Sequence, residues 1–267
     1  MKRSLLTRAL YAGRDFRSRA LFRALREHCA GSVLDVGGGQ FFVTAREQGA
    51  RFERWVTLEV AAADLPAREL PVQHGVVGDG CRLPFAAGSF DTALSVQVLE
   101  HVFEPIRMVD EIGRVLKPGG KAIFLIPQTS TTHLAPRYHG NFSRYWIATA
   151  LERAGLESVL LQPLGGTWSS MASHLFYFFL QAARVEGMSD RAVKRNALFY
   201  LFFPFMALWA VIALPVCMVL SLGDLHEEPS NHLVVARRRS PGTATLQRGS
   251  FSRQQDQSAG LEPGAPG

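Results

Sequence analysis

Residues 33–39 read Val33-Leu34-Asp35-Val36-Gly37-Gly38-Gly39. An apolar run carrying one buried-type acid and ending in three glycines is the signature of a strand that turns at once into a helix. Glycine lets the backbone turn tightly and come close to a ligand. Outward from this stretch, strands and helices alternate. A helix over 15–30, with Phe16, Ala20, Phe22 and Leu25 near helical spacing, precedes strand Ser32–Val36. Strands Trp55–Val60, Val76–Gly78 and Asp91–Val96 follow. A helix Pro105–Leu116 is stopped by Lys117-Pro118-Gly119-Gly120, and Lys121–Ile126 is a fifth strand. A helix Tyr145–Ala154, a sixth strand Ser158–Leu161 and a last strand Leu233–Ala236 complete the pattern. Such alternation predicts an α/β fold: a doubly wound, mainly parallel, seven-stranded sheet.

Acids recur where the strands end. Asp35 lies on the first strand, Glu59 ends the second and Asp79 follows the third. Open α/β sheets bind ligands at the carboxyl ends of their strands. A carboxylate such as Glu59 can accept hydrogen bonds from two ribose hydroxyls, and Asp79 suits an adenine amino group. The glycine order fails the dinucleotide fingerprint: with Gly37 and Gly39 as its first two glycines, the third position is Phe42. A nicotinamide-dependent oxidoreductase is therefore disfavoured.

With these residues in place, the chain resembles the class I methyltransferases, in particular the type 11-like group. The segments VLDVGGG, GDGCRLPFAAGSFD and VLEHVFEPIRMVDEIGRVLKPGG come in that family's order. The resemblance covers roughly residues 30–162 and the last strand. It implies a Rossmann-like fold and S-adenosyl-L-methionine as cofactor. Carried over residue by residue, Asp35, Gly37, Gly38 and Gly39 line the methionine end, Glu59 binds the ribose, Asp79 and Gly80 flank the adenine, and Gln97 touches the cofactor after the fourth strand. Two departures stand out. Phe41, preceded by Gln40, occupies the place of the family's usual last glycine, and Glu59 replaces the commoner aspartate. A bulky Phe41 either narrows the pocket or packs under the helix. Residues His139–Gly166 further resemble a subgroup found among enzymes of cell-surface saccharide assembly, although Asn141 and Trp146 stand where that subgroup has aspartate and threonine.

For transfer to a hydroxyl, the catalytic candidates are His101 and His139, since imidazole is the side chain suited to taking a proton near neutrality. His133 reads as an ordinary loop histidine. Cys29, Cys81 and Cys217 are scattered and odd in number, which gives no metal spacing and no disulfide framework and fits a reducing compartment. No metal ligands are assigned.

The chain of 267 residues carries a net charge of +6 and is 47% apolar. The apolar excess traces to residues 169–229. Ala197–Leu222 holds no charged residue and, as a helix rising about 1.5 Å per residue, is long enough to cross a bilayer core of ~30 Å. Pro204 and Pro215 would kink it. A single crossing would strand Leu233–Ala236 on the wrong side of the membrane. The element is therefore expected to re-enter or lie in the interface. Arg184, Arg191, Lys194 and Arg195 before it and Arg237-Arg238-Arg239 after it point to the cytoplasmic face.

Residues 1–30 form a basic leader suited to an anionic surface. The expected division is a methyltransferase domain at 31–168 and 230–237, as the resemblance implies, a membrane-associated hydrophobic insertion at 169–229 and a disordered tail at 238–267. The expected partners are a small-molecule or lipid-linked acceptor and membrane lipid. Nucleic acid is not expected, because the basic residues lack interleaved aromatics. Two function classes follow: O-methylation of a glycan-type or lipid-linked acceptor at a membrane, or a non-catalytic cofactor-binding membrane scaffold. The oligomeric state is left open.

Overall fold

The computed structural model describes residues 18–66 and 71–240. Most of the basic leader and nearly all of the expected C-terminal tail lie outside these residues. The elements run α1 (18–28), β1 (Ser32–Val36), α2 (Phe41–Glu47), β2 (Arg54–Glu59), β3 (Gln73–Val77), β4 (Phe90–Val96), α3 (Pro105–Val115), β5 (Leu116–Pro127), α4 (Arg144–Arg153), β6 (Leu156–Leu164), α5 (Thr167–Ala182), α6 (Ala197–Leu220) and β7 (Asn231–Arg238).

The seven strands form one sheet in the order β3-β2-β1-β4-β5-β7-β6. Neighbours are parallel from β3 through β5, and β7 runs antiparallel between β5 and β6. Successive strand side chains point to opposite faces, so one strand feeds two cores. Leu34, Ala93, Ala122, Phe124 and Val234 pack with Met108, Val109 and Ile112 of α3 and with Ile147 and Leu151 of α4. Their sequence neighbours Val33, Leu94, Ile123 and Val235 pack on the other face with Leu21, Leu25, Phe42 and Ala45 of α1 and α2. This double burial explains why Ala122–Ile126 of β5 is apolar throughout.

Several boundaries differ from the sequence reading, among them β6 and β7, which are longer than expected, and two of the differences have identifiable reasons. β3 starts at Gln73, earlier than Val76, because that polar side chain is fully buried and its Nε2 reaches Thr57 Oγ1 at 3.5 Å. The Lys117-Pro118-Gly119-Gly120 stretch ends α3 and also opens β5: Leu116 pairs with Phe90, and the register shifts before Lys121 pairs with Thr92.

Between β6 and β7 the chain makes a closed excursion. Asp224 caps the start of α5 by accepting from Trp168 N (2.7 Å) and Ser169 N (2.9 Å), and Thr167 N donates to Leu225 O at 3.0 Å. At the far end Arg195 donates to Ala182 O (2.8 Å) and Gln181 O, closing the C-terminus of α5. This far end also touches the loop after β5, where Leu134 N donates to Gly187 O at 2.6 Å. The hairpin is thus tied to the domain at both ends and lies along it. Helix α6 continues through both Pro204 and Pro215.

Helices α3 and α4 approach closely at Gly113, where an added Cβ would sit 2.5 Å from Ala154 O and 3.3 Å from Ala154 Cβ. Helix propensity alone would favour Gly113→Ala by ~1 kcal/mol. Overpacking against a backbone carbonyl costs about 1–3 kcal/mol and should prevail. A lower urea midpoint for Gly113→Ala is the expected outcome; a raised one would mean that the two helices are not in this contact.

Candidate functional site

The site is built around the turn after β1. Asp35 is fully buried, and neither carboxylate oxygen has a hydrogen-bond partner among the described residues. Burial, then the negative charge of Glu59, pushes its pKa up to about 8, while the nearby Trp55 indole N–H opposes the shift without reaching hydrogen-bond geometry. Directly above lies Gly38, where a Cβ would fall 1.8 Å from Asp35 Oδ2. Gly37 has φ +73°, and a Cβ there would lie 2.7 Å from Val98 Cγ1. No side chain fits at either position, so the turn presents bare backbone.

Glu59, at the end of β2, accepts from Gly39 N at 2.7 Å. Its pKa is raised by burial, against the Gly39 hydrogen bond, with Asp64 adding repulsion. Asp79 follows β3, is exposed, and accepts from Cys81 N at 2.8 Å. Gly80 is buried against Val36 and Met108. Gln97 adopts φ +58° just past β4, donating its N–H to Leu125 O (2.9 Å) and its Nε2 to Asn231 Oδ1 (2.5 Å). The proposed cofactor residues therefore gather along the carboxyl ends of β1, β2, β3 and β4, on both sides of the point where strand order reverses. Phe41 turns away from this space: it packs in the core on the α1 side, its ring stacked with Phe22 at 6.5 Å.

The histidines separate. His101 and His133 face each other with ring centroids 4.9 Å apart, and Tyr138 stands 5.8 Å and 5.0 Å from them. Burial lowers the His101 pKa, and its Nδ1 lies 2.6 Å from Arg137 O. His139 is exposed, with its N–H donating to Glu100 O at 2.7 Å and its ring against Phe103 at 5.6 Å. A residue the sequence reading passed over is Glu100. It is fully buried, both oxygens lack partners among the described residues, and burial pushes its pKa up to about 7. The available signal was a charged residue inside the apolar run Val98-Leu99-Glu100-His101-Val102.

Comparison with known proteins bears on this geometry. Residues 34–124 match the family model described as a methyltransferase domain. Over this stretch the chain is similar to class I, S-adenosylmethionine-dependent methyltransferases. An uncharacterized methyltransferase of Mycobacterium sp. (strain JLS) is 39% identical over 107 residues, 39% of this chain and 42% of the relative. A "probable S-adenosylmethionine-dependent methyltransferase" of Mycolicibacterium smegmatis is 28% identical over 157 residues, 53% of this chain and 58% of the relative. The chain thus spans about half the length of these curated relatives. In fold, it is similar to the Burkholderia thailandensis 1,6-didemethyltoxoflavin-N1-methyltransferase, solved with S-adenosylhomocysteine. That likeness covers 86% of this chain and 84% of the other, at 16% identity and TM-score 0.50.

The residues of the methyltransferase domain fit its cofactor. An unpartnered buried carboxylate suits a ligand bearing positive charge, the glycine turn admits close backbone approach, and Glu59 stands at the strand end beside it. S-adenosylmethionine would be held by Asp35, Gly37–Gly39, Glu59 and Asp79-Gly80.

Asp35 also makes stability depend on pH. Its folded pKa of about 8 exceeds the ordinary 3.8, so the folded state favours the neutral acid. That contribution is complete below the ordinary value and is lost as pH rises through about 8. Between about pH 6 and about pH 8, wild type should lose roughly 1–3 kcal/mol relative to Asp35→Asn, measured by urea unfolding without cofactor. Parallel curves for the two proteins would mean that Asp35 is already ionised in the fold.

Proposed function

We propose that the protein methylates an oxygen of a glycan-type or lipid-linked acceptor at the cytoplasmic face of a membrane. S-adenosylmethionine supplies, when bound, a methyl group already activated on a sulfonium. The protein must then align the acceptor and help remove its proton.

One observation carries the membrane part of this reading. The loop that bears His133 and His139 is walled by the α5–α6 hairpin, and the outer face of α6 is apolar and open. Phe205 is 70% exposed and Trp209 67%, with Leu201, Leu208 and Val216 beside them. Helix α6 and the turn after it, Ala197–Gly223, form an element long and apolar enough to cross a membrane, and only 11% of its most apolar window is buried. Such a surface on a domain of this size calls for a covering phase. Because the hairpin is tied to the domain at both ends, an in-plane position at the interface fits better than a crossing. Arg191, Lys194 and Arg195 flank it on one side and Arg237–Arg239 on the other, which favours the cytoplasmic face. The packing of Phe41 against Phe22 takes its ring to the α1 side, which favours an enzyme over a non-catalytic scaffold.

Within this reading His139, held at the opening by its bond to Glu100 O, takes the acceptor proton. His139→Ala should then lower turnover ~10²–10⁴-fold while S-adenosylhomocysteine affinity is kept. The assay is methyl-labelled donor added to a total membrane extract, followed by mass analysis of the product. A labelled lipid-linked or saccharide product is expected; label confined to water-soluble amines would overturn the acceptor class.

The hairpin can be tested separately. Gly165 and Ser230 lie side by side, a Cβ at Gly165 falling 3.5 Å from Ser230 Oγ. Replacing 169–229 by a short Gly/Ser bridge should therefore leave the sheet intact. The shortened protein should move from the membrane fraction to the supernatant and still bind S-adenosylhomocysteine in calorimetry. If it stayed on membranes, the hairpin would not be the anchor.

A further inference from the structure

Glu100 lies in the short helical turn Leu99–His101, just after the strand end that borders the cofactor turn. Its carboxylate is fully buried and has no hydrogen-bond partner among the described residues. A group of this kind needs a cation or donors to justify its burial. Two imidazoles lie near it, those of His101 and His133. His101 Nδ1 lies 2.6 Å from Arg137 O, and His133 Nδ1 lies 2.9 Å from Thr131 O. A carbonyl can only accept, so each Nδ1 carries a hydrogen, which leaves Nε2 as the ring atom free to ligate. Backbone carbonyls commonly fix the tautomer and orientation of metal-bound imidazoles in this way. Glu100, His101 and His133 offer ligand atoms all within 4.8 Å of one another. A shared ion at bond lengths of about 2.0–2.2 Å would draw these atoms closer together than 4.8 Å.

We propose that Glu100, His101 and His133 bind one divalent transition-metal cation of the zinc class, with its remaining coordination positions open to an oxygen of the acceptor. Two imidazoles and one carboxylate are a donor set that suits such ions, and three protein ligands leave room for an exogenous one. Aromatic packing among His101, His133 and Tyr138 accounts for the ring contacts, but it leaves the Glu100 carboxylate unpaired. The acceptor role rests on the methyl-transfer reading above. Cation binding itself does not.

The experiment uses the full-length chain without a histidine tag, stripped with chelator and dialysed. Co²⁺ is titrated by visible absorption and Zn²⁺ by calorimetry, with S-adenosylhomocysteine binding measured on the same samples. One ion per chain is expected, with a visible ligand-field band for Co²⁺. His133→Ala and the isosteric Glu100→Gln should each weaken the ion by roughly tenfold or more. S-adenosylhomocysteine binding by these variants should match wild type, which shows that they fold. Absence of Co²⁺ binding, or equal Co²⁺ affinity in wild type and both folded variants, would overturn the site. A chain that bound Co²⁺ in this pattern but not S-adenosylhomocysteine would uphold the metal site and overturn the cofactor reading instead.

Discussion

A single carboxylate pressed against a single glycine organises this molecule. Asp35 rides β1 to the carboxyl edge of the sheet and stays buried, with Gly38 so close that a Cβ there would overlap its Oδ2. The chain can pass over Asp35 only as bare backbone. That requirement fixes the turn, and the turn fixes the rest of the cofactor side. Gly39 N–H reaches the Glu59 carboxylate and so couples the end of β1 to the end of β2. Gly37 comes so near Val98 that the loop after β4 closes the other flank. The result is a narrow polar seam in an apolar sheet, placed where the strand order reverses. A buried carboxyl without a partner is costly by itself. A ligand bearing positive charge, such as the cofactor of this family, offsets that cost.

The second constraint is topological. β7 must enter between β5 and β6 in antiparallel register, so whatever precedes it has to return to where it left. Asp224 on the first turn of α5 and Ser170 Oγ on Glu228 O (2.9 Å) clamp the exit of the excursion to its entry. Between these points the chain is free to be as apolar as its surroundings permit. Phe199, Phe203, Ala210 and Cys217 lie along one stripe of α6, with Phe203 beside Phe178 of α5 at 6.1 Å. The remaining circumference faces outward. The insertion thus adds an apolar surface without disturbing the sheet order.

The two halves of the molecule were unequally legible in the sequence. β1 could be read to the residue, because its apolar run is broken only by Asp35 and its end is marked by glycines. The last strand and the parallel order followed from the alternation of elements. β3 was read short, because burial of Gln73 depends on a partner, Thr57, that only the folded sheet supplies. Lys117–Gly120 was read as a helix stop, which is correct locally, but its pairing with β4 is a tertiary contact that no local pattern encodes. Asp35 and Glu59 were visible because strand ends are where such acids gather. The packing of Phe41 toward Phe22, which decides whether the turn is open, was not visible. Nor was the grouping of Glu100, His101, His133 and Tyr138, since the loop after β5 brings them together by long-range bonds such as His139 N to Glu100 O.

Asp35 and Glu100, two buried carboxylates without hydrogen-bond partners among the described residues, lie on different sides of the strand ends. Asp35 lies beneath the glycine turn, on the β1–β2 side, and can answer only a ligand that enters there. Glu100 lies beyond Val98, on the side of the loop that carries His133 and His139. The wall of that second side is the far end of the hairpin, where Gln181 Nε2 meets Thr132 O at 3.4 Å and Gly187 O meets Leu134 N. A donor bound over Asp35 and an acceptor bound beside Glu100 would therefore approach from opposite flanks of the β4 end. The α5–α6 hairpin touches the loop that carries His133 and His139 through Gln181 and Gly187. In the proposed reaction a water-soluble donor can exchange from the open side while an acceptor held in lipid enters along the hairpin, so neither has to leave before the other arrives.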